Sequence, residues 1–391
     1  MRVQPADLPP NAQPMSHGGW QAPPPPKGNA GRIIFEVILL VLGGLGLLVF
    51  VVLIGTIFGG SATIAGTVLS LVPLAMVVAV VAWIDRWEPE PRLLLVAAFV
   101  WGGGVATLVS SRLNRPVGTG INDLLGSPVT LEAAPAVFGA PFVEEFFKGL
   151  GVLLIFLVRR HHFNGPVDGI VYACVVAGAF AFVEDIQYLA GSDEDMGAVF
   201  VLRSLMSPFG HLIYTSCVGL ALGLAARSRN SLAWLWYLPL GYAAAATLHM
   251  AWNGGADSID SYASLLGHFA LWNWLPSLLF SLLIVWLRRK EVAVITARLS
   301  EYVSAGWLAP HEVAMLGSLR ARRQARSWAA KGGPAARKAM KHFQVSATNL
   351  AYARHDLISG HGGIRRRGDE TTLLNEICKD RQVIRGALGV A

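Results

Sequence analysis

Charged residues are scarce in this sequence. Asp, Glu, Lys and Arg make up only 15% of its 391 residues, whereas hydrophobic residues make up 53%, and the mean hydropathy is +0.49. A soluble globular domain carries about 25% charged residues, so the composition excludes an ordinary soluble enzyme and also a disordered protein. It is typical of a membrane protein that crosses the bilayer several times and has polar ends.

Cysteine is also scarce, and several catalytic signatures are missing. The three cysteines are Cys174, Cys217 and Cys378, and no two of them form a CxxC pair. We therefore expect neither a disulfide framework nor a zinc site made of thiolates. The sequence contains no GxSxG, no HExxH, no P-loop, and no GxGxxG between a strand and a helix. The usual signatures of serine hydrolases, zincins and nucleotide-binding proteins are thus absent.

Positive charge is concentrated at the end of the chain. From Arg288 onward there are 19 Lys and Arg against 8 Asp and Glu, a net charge of +11, whereas the first 287 residues have 13 against 17, a net charge of −4. A basic segment after the last hydrophobic run predicts a cytoplasmic tail close to anionic lipid. Nucleic acid is not an expected partner, because the basic residues alternate with apolar ones as on a surface helix.

The hydrophobic runs predict an all-α fold: a polytopic membrane bundle of about eight transmembrane helices with a small helical cytoplasmic domain at the C-terminus. We divide the chain into a disordered Pro-rich cytoplasmic tail (1–31), a transmembrane domain (32–287) and a basic helical domain (288–391). The predicted membrane segments lie at about 33–58, 63–84, 93–112, 136–158, 166–190, 204–226, 231–252 and 265–287.

The basic domain shows helical spacing in three places. Apolar residues recur every three or four positions between 292 and 303, a turn at 307–312 begins a second helix, and a third runs from about 335 to 358. The glycine-rich region 360–368 is expected to end that third helix.

Basic residues near the segment ends predict the orientation in the membrane. Twelve Lys and Arg flank the segments on one side and three, Arg112, Arg115 and Arg203, lie on the other. Because positive charge marks the cytoplasmic side, both termini are expected in the cytoplasm, with the lipid bilayer around the domain between them.

Ionisable residues inside membrane segments are expensive and usually functional. In this orientation they share a depth, in the outer half of the bilayer, which favours one water-filled site that opens outward. Glu144 and Lys148 are four residues apart, as are Glu184 and Tyr188, so each pair shares a helix face. The residues are Glu144, Glu145 and Lys148 in the fourth segment, Glu184 and Asp185 in the fifth, His211 in the sixth, and His249 with Asn253 in the seventh.

These residue types support two kinds of chemistry. A carboxylate and two imidazoles are able to bind Zn²⁺ and activate water. Alternatively, one glutamate acts as a general base while the histidines and Asn253 stabilise an oxyanion. The residues alone leave both mechanisms open.

Several ordered motifs resemble the PrsW family of intramembrane proteases over roughly residues 63–287. An acidic EPEP loop at 88–91 is similar to the loop that this family has between its second and third segments. Directly after Glu184 of the second motif, Asp185 occupies a position where the family commonly has Asn. The other motifs are EExxK at 144–148, FAFVE ending at Glu184 and running on to Tyr188, Gly-His at 210–211, and HxxxN at 249–253.

The resemblance implies an all-helical fold related to the CAAX-protease/abortive-infection superfamily. It also implies an endopeptidase in the bacterial plasma membrane that cleaves single-pass proteins, such as an anti-sigma factor, near their outer side. Glu145 is then the base or a ligand, and Glu144 is held by Lys148, although the reverse is open. The implied catalytic set is Glu144, Glu145, Glu184, His211, His249 and Asn253, supported by Lys148 and Tyr188, with zinc as the cofactor to consider on Glu184, His211 and His249.

Other readings compete with this one. Each residue has a structural explanation: an ion pair of Glu144 with Lys148, a hydrogen bond from Tyr188 to Glu184, or a helix cap at Asn253. A proton- or cation-coupled transporter would also bury Glu and His, although the two halves of the bundle show no convincing repeat. A noncatalytic scaffold that acts through the basic tail, whose partner is unknown, is the third class.

Overall fold

The computed structural model describes residues 30–87, 89–160, 163, 165–359 and 364–389. These residues form helices and no β-strand, which confirms the predicted all-α class. Contacts divide the chain into two compact units, with the boundary between Ile284 and Val285. Residues 1–29 of the predicted Pro-rich tail lie outside the described residues, and so does Glu88 of the acidic loop.

The first unit is a bundle of long helices. Among the residues that the structure describes, six stretches are long and apolar enough to cross a membrane by length and composition: the helices α1, α2, α3, α5 and α9 below, and residues Asp193–Ala226. Helices also occupy the other two predicted segments, but charged or polar residues make them less apolar. The helices are α1 (Ala30–Phe58), α2 (Gly60–Ile84), α3 (Arg92–Leu125), α4 (135–158), α5 (Pro166–Ala190), α6 (196–205), α7 (Gly210–Ala226), α8 (Trp234–Gly254) and α9 (Tyr262–Ser304).

Three predicted segments have different ends in the structure. The sixth was expected from residue 204, but the chain leaves the helical conformation at 206–209 and α7 begins at Gly210. The third segment and the eighth continue well beyond their apolar runs, to Leu125 and Ser304. Hydropathy indicates which residues are suited to the lipid core, but a helix is able to continue through polar residues outside the lipid core. The ends of an apolar run therefore need not be the ends of the helix.

The acidic loop before α3 packs against the bundle. The Asp85 carboxylate accepts a hydrogen bond from the Glu90 backbone N–H at 3.0 Å, and the buried Glu90 carboxylate accepts one from the Tyr172 hydroxyl at 2.6 Å. A further charge pair escaped the sequence analysis: Glu36 of α1 is buried and accepts a hydrogen bond from Arg159 Nε at 2.6 Å. The buried carboxylates of Glu90 and Glu36 each have a hydrogen-bond partner, as buried charges require. We therefore assign both residues a structural role and do not include them in the site described below.

Helices α5 and α7 approach each other through glycine. A Cβ atom on Gly169 would lie 2.0 Å from the Gly219 carbonyl oxygen, and one on Gly219 would lie 2.2 Å from the Gly169 carbonyl oxygen. Small residues at such a crossing let two membrane helices pack backbone to backbone. This close approach sets the position of α7 and therefore of the site residues it carries.

Replacing Gly169 with Ala is expected to destabilise the protein. The added methyl group meets backbone atoms that cannot rotate away, and overpacking of this kind costs about 1–3 kcal/mol. Thermal unfolding in detergent should show a lower Tm for Gly169→Ala. Gly44→Ala is the matched control, since a Cβ there meets nothing within 4 Å. Equal Tm values for Gly169→Ala and wild type would contradict the packing described.

The second unit is a small helical domain with its own core. The helices predicted at 292–303, after 307–312 and at 335–358 are all present, the first as the end of α9. The helix after residue 364 was not predicted, because its few apolar positions are widely spaced and a glycine-rich stretch precedes it. The helices of this domain after α9 are α10 (Pro310–Leu316), α11 (Leu319–Ala329), α12 (Pro334–Ile358) and α13 (Ile364–Leu388). They surround a core that includes Leu299, Phe343, Leu350 and Ile377.

Candidate active site

Three charged residues of α4 are buried together in the first unit. Glu144, Glu145 and Lys148 are each at most 2% exposed. The Lys148 ammonium lies 2.5 Å from Glu145 Oε1 but 3.8 Å from Glu144 Oε2. The lysine therefore pairs most closely with Glu145. The sequence analysis paired Lys148 with Glu144 and left the reverse open; the distances in the structure favour the reverse pairing.

Glu145 is a hub that joins three helices. Its Oε1 also contacts His249 Nδ1 of α8 at 3.1 Å, and its Oε2 accepts a hydrogen bond from the Thr215 hydroxyl of α7 at 2.8 Å. A carboxylate in a protein interior needs such partners, because an unpaired buried charge is very unfavourable. With both oxygens occupied, Glu145 is suited to hold other groups in place.

Glu144 has one oxygen to spare. Its Oε1 accepts a hydrogen bond from the Asn114 side-chain amide of α3 at 3.0 Å. Its Oε2 is buried and has no hydrogen-bond partner among the described residues. Buried polar atoms are nearly always satisfied in folded proteins, and the exceptions are concentrated at functional positions. Glu144 Oε2, which has an ion-pair contact with Lys148 at 3.8 Å but no hydrogen bond, is thus a carboxylate atom of this cluster that is able to meet a ligand.

The two histidines of the cluster come from different helices and meet at right angles. The His211 and His249 ring centroids are 5.2 Å apart, with an angle of 89° between the ring planes. His211 Nδ1 lies 3.0 Å from the Lys148 ammonium, and His211 Nε2 lies 2.8 Å from Glu184 Oε2. His211 therefore connects the α4 residues to the carboxylate on α5.

Glu184 belongs to a second layer that is organised by an arginine. Arg203 donates from Nη2 to Glu184 at 2.7 Å and from Nε to Asp185 at 3.2 Å. Its guanidinium carbon lies 3.8 Å from the centroid of the Tyr188 ring. Tyr188 was expected to support Glu184 directly, whereas the structure places it under the arginine. Arg203 itself was counted only as a topology signal, since nothing in its own apolar segment indicates a carboxylate partner.

Arg203→Met is expected to loosen this layer and to leave Glu184 without its cationic partner. A hydrogen bond to a charged group contributes about 1.5–3 kcal/mol, and the lower end applies because the arginine side chain is 30% exposed. Thermal unfolding should show a lower Tm for Arg203→Met and an intermediate Tm for Arg203→Lys. Lysine keeps the positive charge but lacks the planar guanidinium group that donates to two carboxylates at once. If Arg203→Met unfolds like wild type, the arginine does not hold this layer.

Asn253 stands apart from the carboxylate and histidine contacts. Its side-chain amide donates to the Ala136 carbonyl oxygen at 2.7 Å, which ties the end of α8 to the beginning of α4. In the structure it contacts backbone, so its expected role as an oxyanion donor stays a prediction.

The arrangement has the donors that a metal ion needs. Glu144, His211 and His249 each offer a ligand atom, and these atoms lie within 4.8 Å of one another. The spare Glu144 oxygen fits such a ligand set, and the contact of His249 Nδ1 with Glu145 is the carboxylate–histidine pairing that orients metal ligands. Three protein ligands with open positions are typical of catalytic zinc. In this candidate ligand set Glu144 replaces Glu184, which the sequence analysis had named, because Glu184 Oε2 already contacts His211 and Arg203.

Helices able to cross a membrane, packed around buried carboxylates and histidines, define the class: a multi-pass membrane protein with a centre suited to hydrolysis. The family model described as PrsW family intramembrane metalloprotease matches residues 90–287. The chain belongs to this family, which confirms the resemblance predicted from its motifs. The matched range contains every residue of the cluster.

Curated relatives agree with this membership. The chain is 27% identical over 157 residues to Protease PrsW of Geobacillus kaustophilus, covering 39% of this chain and 65% of the relative. It is 26% identical over 136 residues to Protease PrsW of Clostridioides difficile, covering 34% and 55%. The chain thus spans less than two thirds of the length of these relatives. No solved structure matches it significantly.

Proposed function

We propose that this protein is an intramembrane endopeptidase that hydrolyses a peptide bond in single-pass membrane proteins. One observation carries the proposal: a buried glutamate, Glu144, keeps a carboxylate oxygen without a hydrogen-bond partner beside His211 and His249, within a bundle of membrane-type helices. The Lys148 ammonium forms an ion pair with that oxygen at 3.8 Å, beyond hydrogen-bond distance, so among the described residues the oxygen still lacks a hydrogen-bond donor. Family membership supplies the reaction class, peptide-bond hydrolysis.

We assign the activation of water to Glu144, and we assign the orientation of the Glu144 carboxylate to the residues around it. The free oxygen of Glu144 either accepts the proton of the attacking water as general base or serves as a metal ligand. Asn114 fixes the other oxygen, so the carboxylate cannot rotate freely. Glu145 orients His249, and Lys148 offsets the negative charge of the paired glutamates.

Zinc fits the donor set and the family description. Glu144, His211 and His249 would hold it. When bound, Zn²⁺ polarises a carbonyl group and generates a nucleophile from water. Glu145 contacts His249 Nδ1 and Glu184 contacts His211 Nε2, so they would orient the two imidazoles with His249 Nε2 and His211 Nδ1 as the ligand atoms. His211 Nδ1 would then exchange its contact with the Lys148 ammonium for the metal ion.

The proposed location is the outer half of the bacterial plasma membrane, with both termini in the cytoplasm. The Lys and Arg count supports this orientation. The site residues lie near the helix ends that adjoin segments 126–134, 191–209 and 255–261, which by that count face outward. A substrate segment must unwind there, because a helix shields its peptide carbonyls. An anti-sigma factor is a substrate of suitable architecture.

Mass spectrometry of cells tests the proposed function. Membrane and secreted peptides are compared between wild type and Glu144→Gln at equal expression, with enrichment of new terminal peptides. We expect single-pass proteins to gain cleaved ends near their outer membrane boundary only with wild type. If no cleavage differs, the endopeptidase is ruled out in those cells, and proton-coupled transport in liposomes becomes the next measurement.

A further inference from the structure

Two buried hydrogen-bond donors without partners lie beside the first turn of α7. The Tyr214 hydroxyl and the Asn273 side-chain nitrogen Nδ2 have no partner among the described residues. Both side chains are only 2% exposed. Other buried side-chain atoms of the described residues also lack a partner, but these two donors lie within 3.5 Å of one point, the position of a Cβ atom on Gly210. Buried polar groups are nearly always satisfied, so two donors at one point indicate a ligand that supplies an acceptor to both.

Both donors point to the space left by one glycine. A Cβ atom on Gly210 would lie 3.3 Å from the Tyr214 hydroxyl oxygen and 3.5 Å from Asn273 Nδ2. Tyr214 is four residues after Gly210, and long helical side chains lean back over the preceding turn. Asn273 comes from the π-helical turn Ala270–Trp274, where Trp274 Nε1 donates to the Met206 carbonyl oxygen at 3.1 Å. That bond fixes the turn against the beginning of α7.

This space adjoins the candidate active site. Gly210 directly precedes His211, and the Tyr214 ring stacks on His249, with centroids 5.0 Å apart and an angle of 19° between the planes. The first backbone N–H groups of α7 have no partner within the helix, and the helix dipole is positive at this end. Side-chain donors, backbone donors and the dipole therefore all favour a negatively charged oxygen next to the two histidines.

We propose that Tyr214, Asn273 and the first turn of α7 form the oxyanion hole, which binds the carbonyl oxygen of the scissile peptide bond. This inference rests on the proposed function. The water oxygen bonds to the carbonyl carbon, and the π electron pair moves to the carbonyl oxygen, which accepts hydrogen bonds from Tyr214 and Asn273. The C–N bond then breaks; one water proton goes to the amine and the other leaves the new carboxylic acid.

The hole also selects the conformation of the substrate. A carbonyl that points at both donors cannot stay hydrogen-bonded within a helix, so the site takes an extended segment. The missing side chain at Gly210 leaves room for its carbonyl oxygen. Gly210→Ala should therefore block the hole without removing a donor.

Kinetics on the full-length protein in nanodiscs test the hole. The variants are Tyr214→Phe, which keeps the stacked ring, Asn273→Leu and Gly210→Ala, with the exposed Tyr262→Phe as control. Cleavage of a single-pass substrate recovered by the mass-spectrometric comparison is followed. We expect kcat to fall about 10²-fold or more for Tyr214→Phe with little change in KM, because an oxyanion donor acts in the transition state. Equal Tm values exclude misfolding.

An independent probe reports the donors without cleavage. The probe is acetyl-Leu-Leu-Leu methyl ketone with a ¹³C-labelled carbonyl, and infrared spectroscopy follows its stretching frequency. We expect a lower frequency with wild type than in lipid alone, a partial return with Tyr214→Phe or Asn273→Leu, and a full return with Gly210→Ala. A frequency that is the same in lipid and wild type, or unchanged in the variants, overturns the proposal.

The two proposals fail in different ways. If Glu144→Gln abolishes cleavage but Tyr214→Phe keeps the wild-type kcat, the endopeptidase stands and the oxyanion hole is wrong. If wild type cleaves nothing, the proposed function fails, and the ketone frequency still decides whether Tyr214 and Asn273 bind a carbonyl oxygen.

Discussion

Glu144→Gln is expected to lower the rate of peptide cleavage by about 10³-fold or more. Glutamine keeps the size of the side chain and an oxygen for the Asn114 amide, but it neither accepts a proton nor binds a metal ion well. General-base catalysis alone contributes about 10²–10⁴-fold. The measurement is kcat of the full-length protein on a single-pass substrate in nanodiscs. The exposed Glu132→Gln is the matched control and should cleave like wild type.

Glu145→Gln should differ from Glu144→Gln in stability. Glu145 is paired with Lys148 inside the bundle, and breaking a buried ion pair from one side costs about 3–5 kcal/mol. We therefore expect a clearly lower Tm for Glu145→Gln and a Tm close to wild type for Glu144→Gln. Wild-type cleavage by Glu144→Gln, or the opposite order of Tm values, would show that the roles of the two glutamates are reversed.

Loss of zinc from His211→Ala is the second large effect expected. Protein purified without chelators should contain about one zinc ion per chain, since three ligands and open positions are typical of one catalytic site. The metal content is measured by inductively coupled plasma mass spectrometry. His211→Ala and His249→Ala should lose the metal. Glu145→Gln removes the carboxylate that orients His249 but no proposed ligand, so it should weaken zinc affinity about 10–100-fold.

The control for this measurement lies in the second unit. His342 is largely exposed and contacts Asp380 of the same unit at 2.6 Å, so His342→Ala should retain its zinc. Equal zinc content in wild type and His211→Ala would exclude the proposed ligand set. A fully active protein that contains no zinc would assign Glu144 to direct general-base catalysis.

The sequence indicated that the charged residues of these segments lie near one another, but it did not indicate which of them pair. Ionisable residues on four neighbouring segments at one depth indicated that α4, α5, α7 and α8 share a site, and the structure brings Glu144, Glu145, Glu184, His211 and His249 into one network. Lys148 is able to reach a residue either three or four positions earlier on its helix. Packing against α7 and α8 decides in favour of Glu145, and a single segment does not encode that choice.

Other site residues lay in segments without a signal of their own. Thr215 and Tyr214 lie in the apolar run of α7, where a hydroxyl is unremarkable, and Asn114 follows the segment predicted to end at 112. Arg203 belongs to a helix that ends at the break before α7. Each gains a role only through a partner on another helix, and such partners become visible only when helix positions and rotations are known.

The most direct test of the account is hydrolysis by the purified protein. Full-length protein in liposomes is incubated in H₂¹⁸O with a single-pass peptide substrate, and the products are analysed by mass spectrometry. Hydrolysis predicts one ¹⁸O atom in the new carboxyl terminus with wild type, and no product with Glu144→Gln. Intact substrate with wild type, or the same labelled product with Glu144→Gln, would contradict an endopeptidase in which Glu144 activates water.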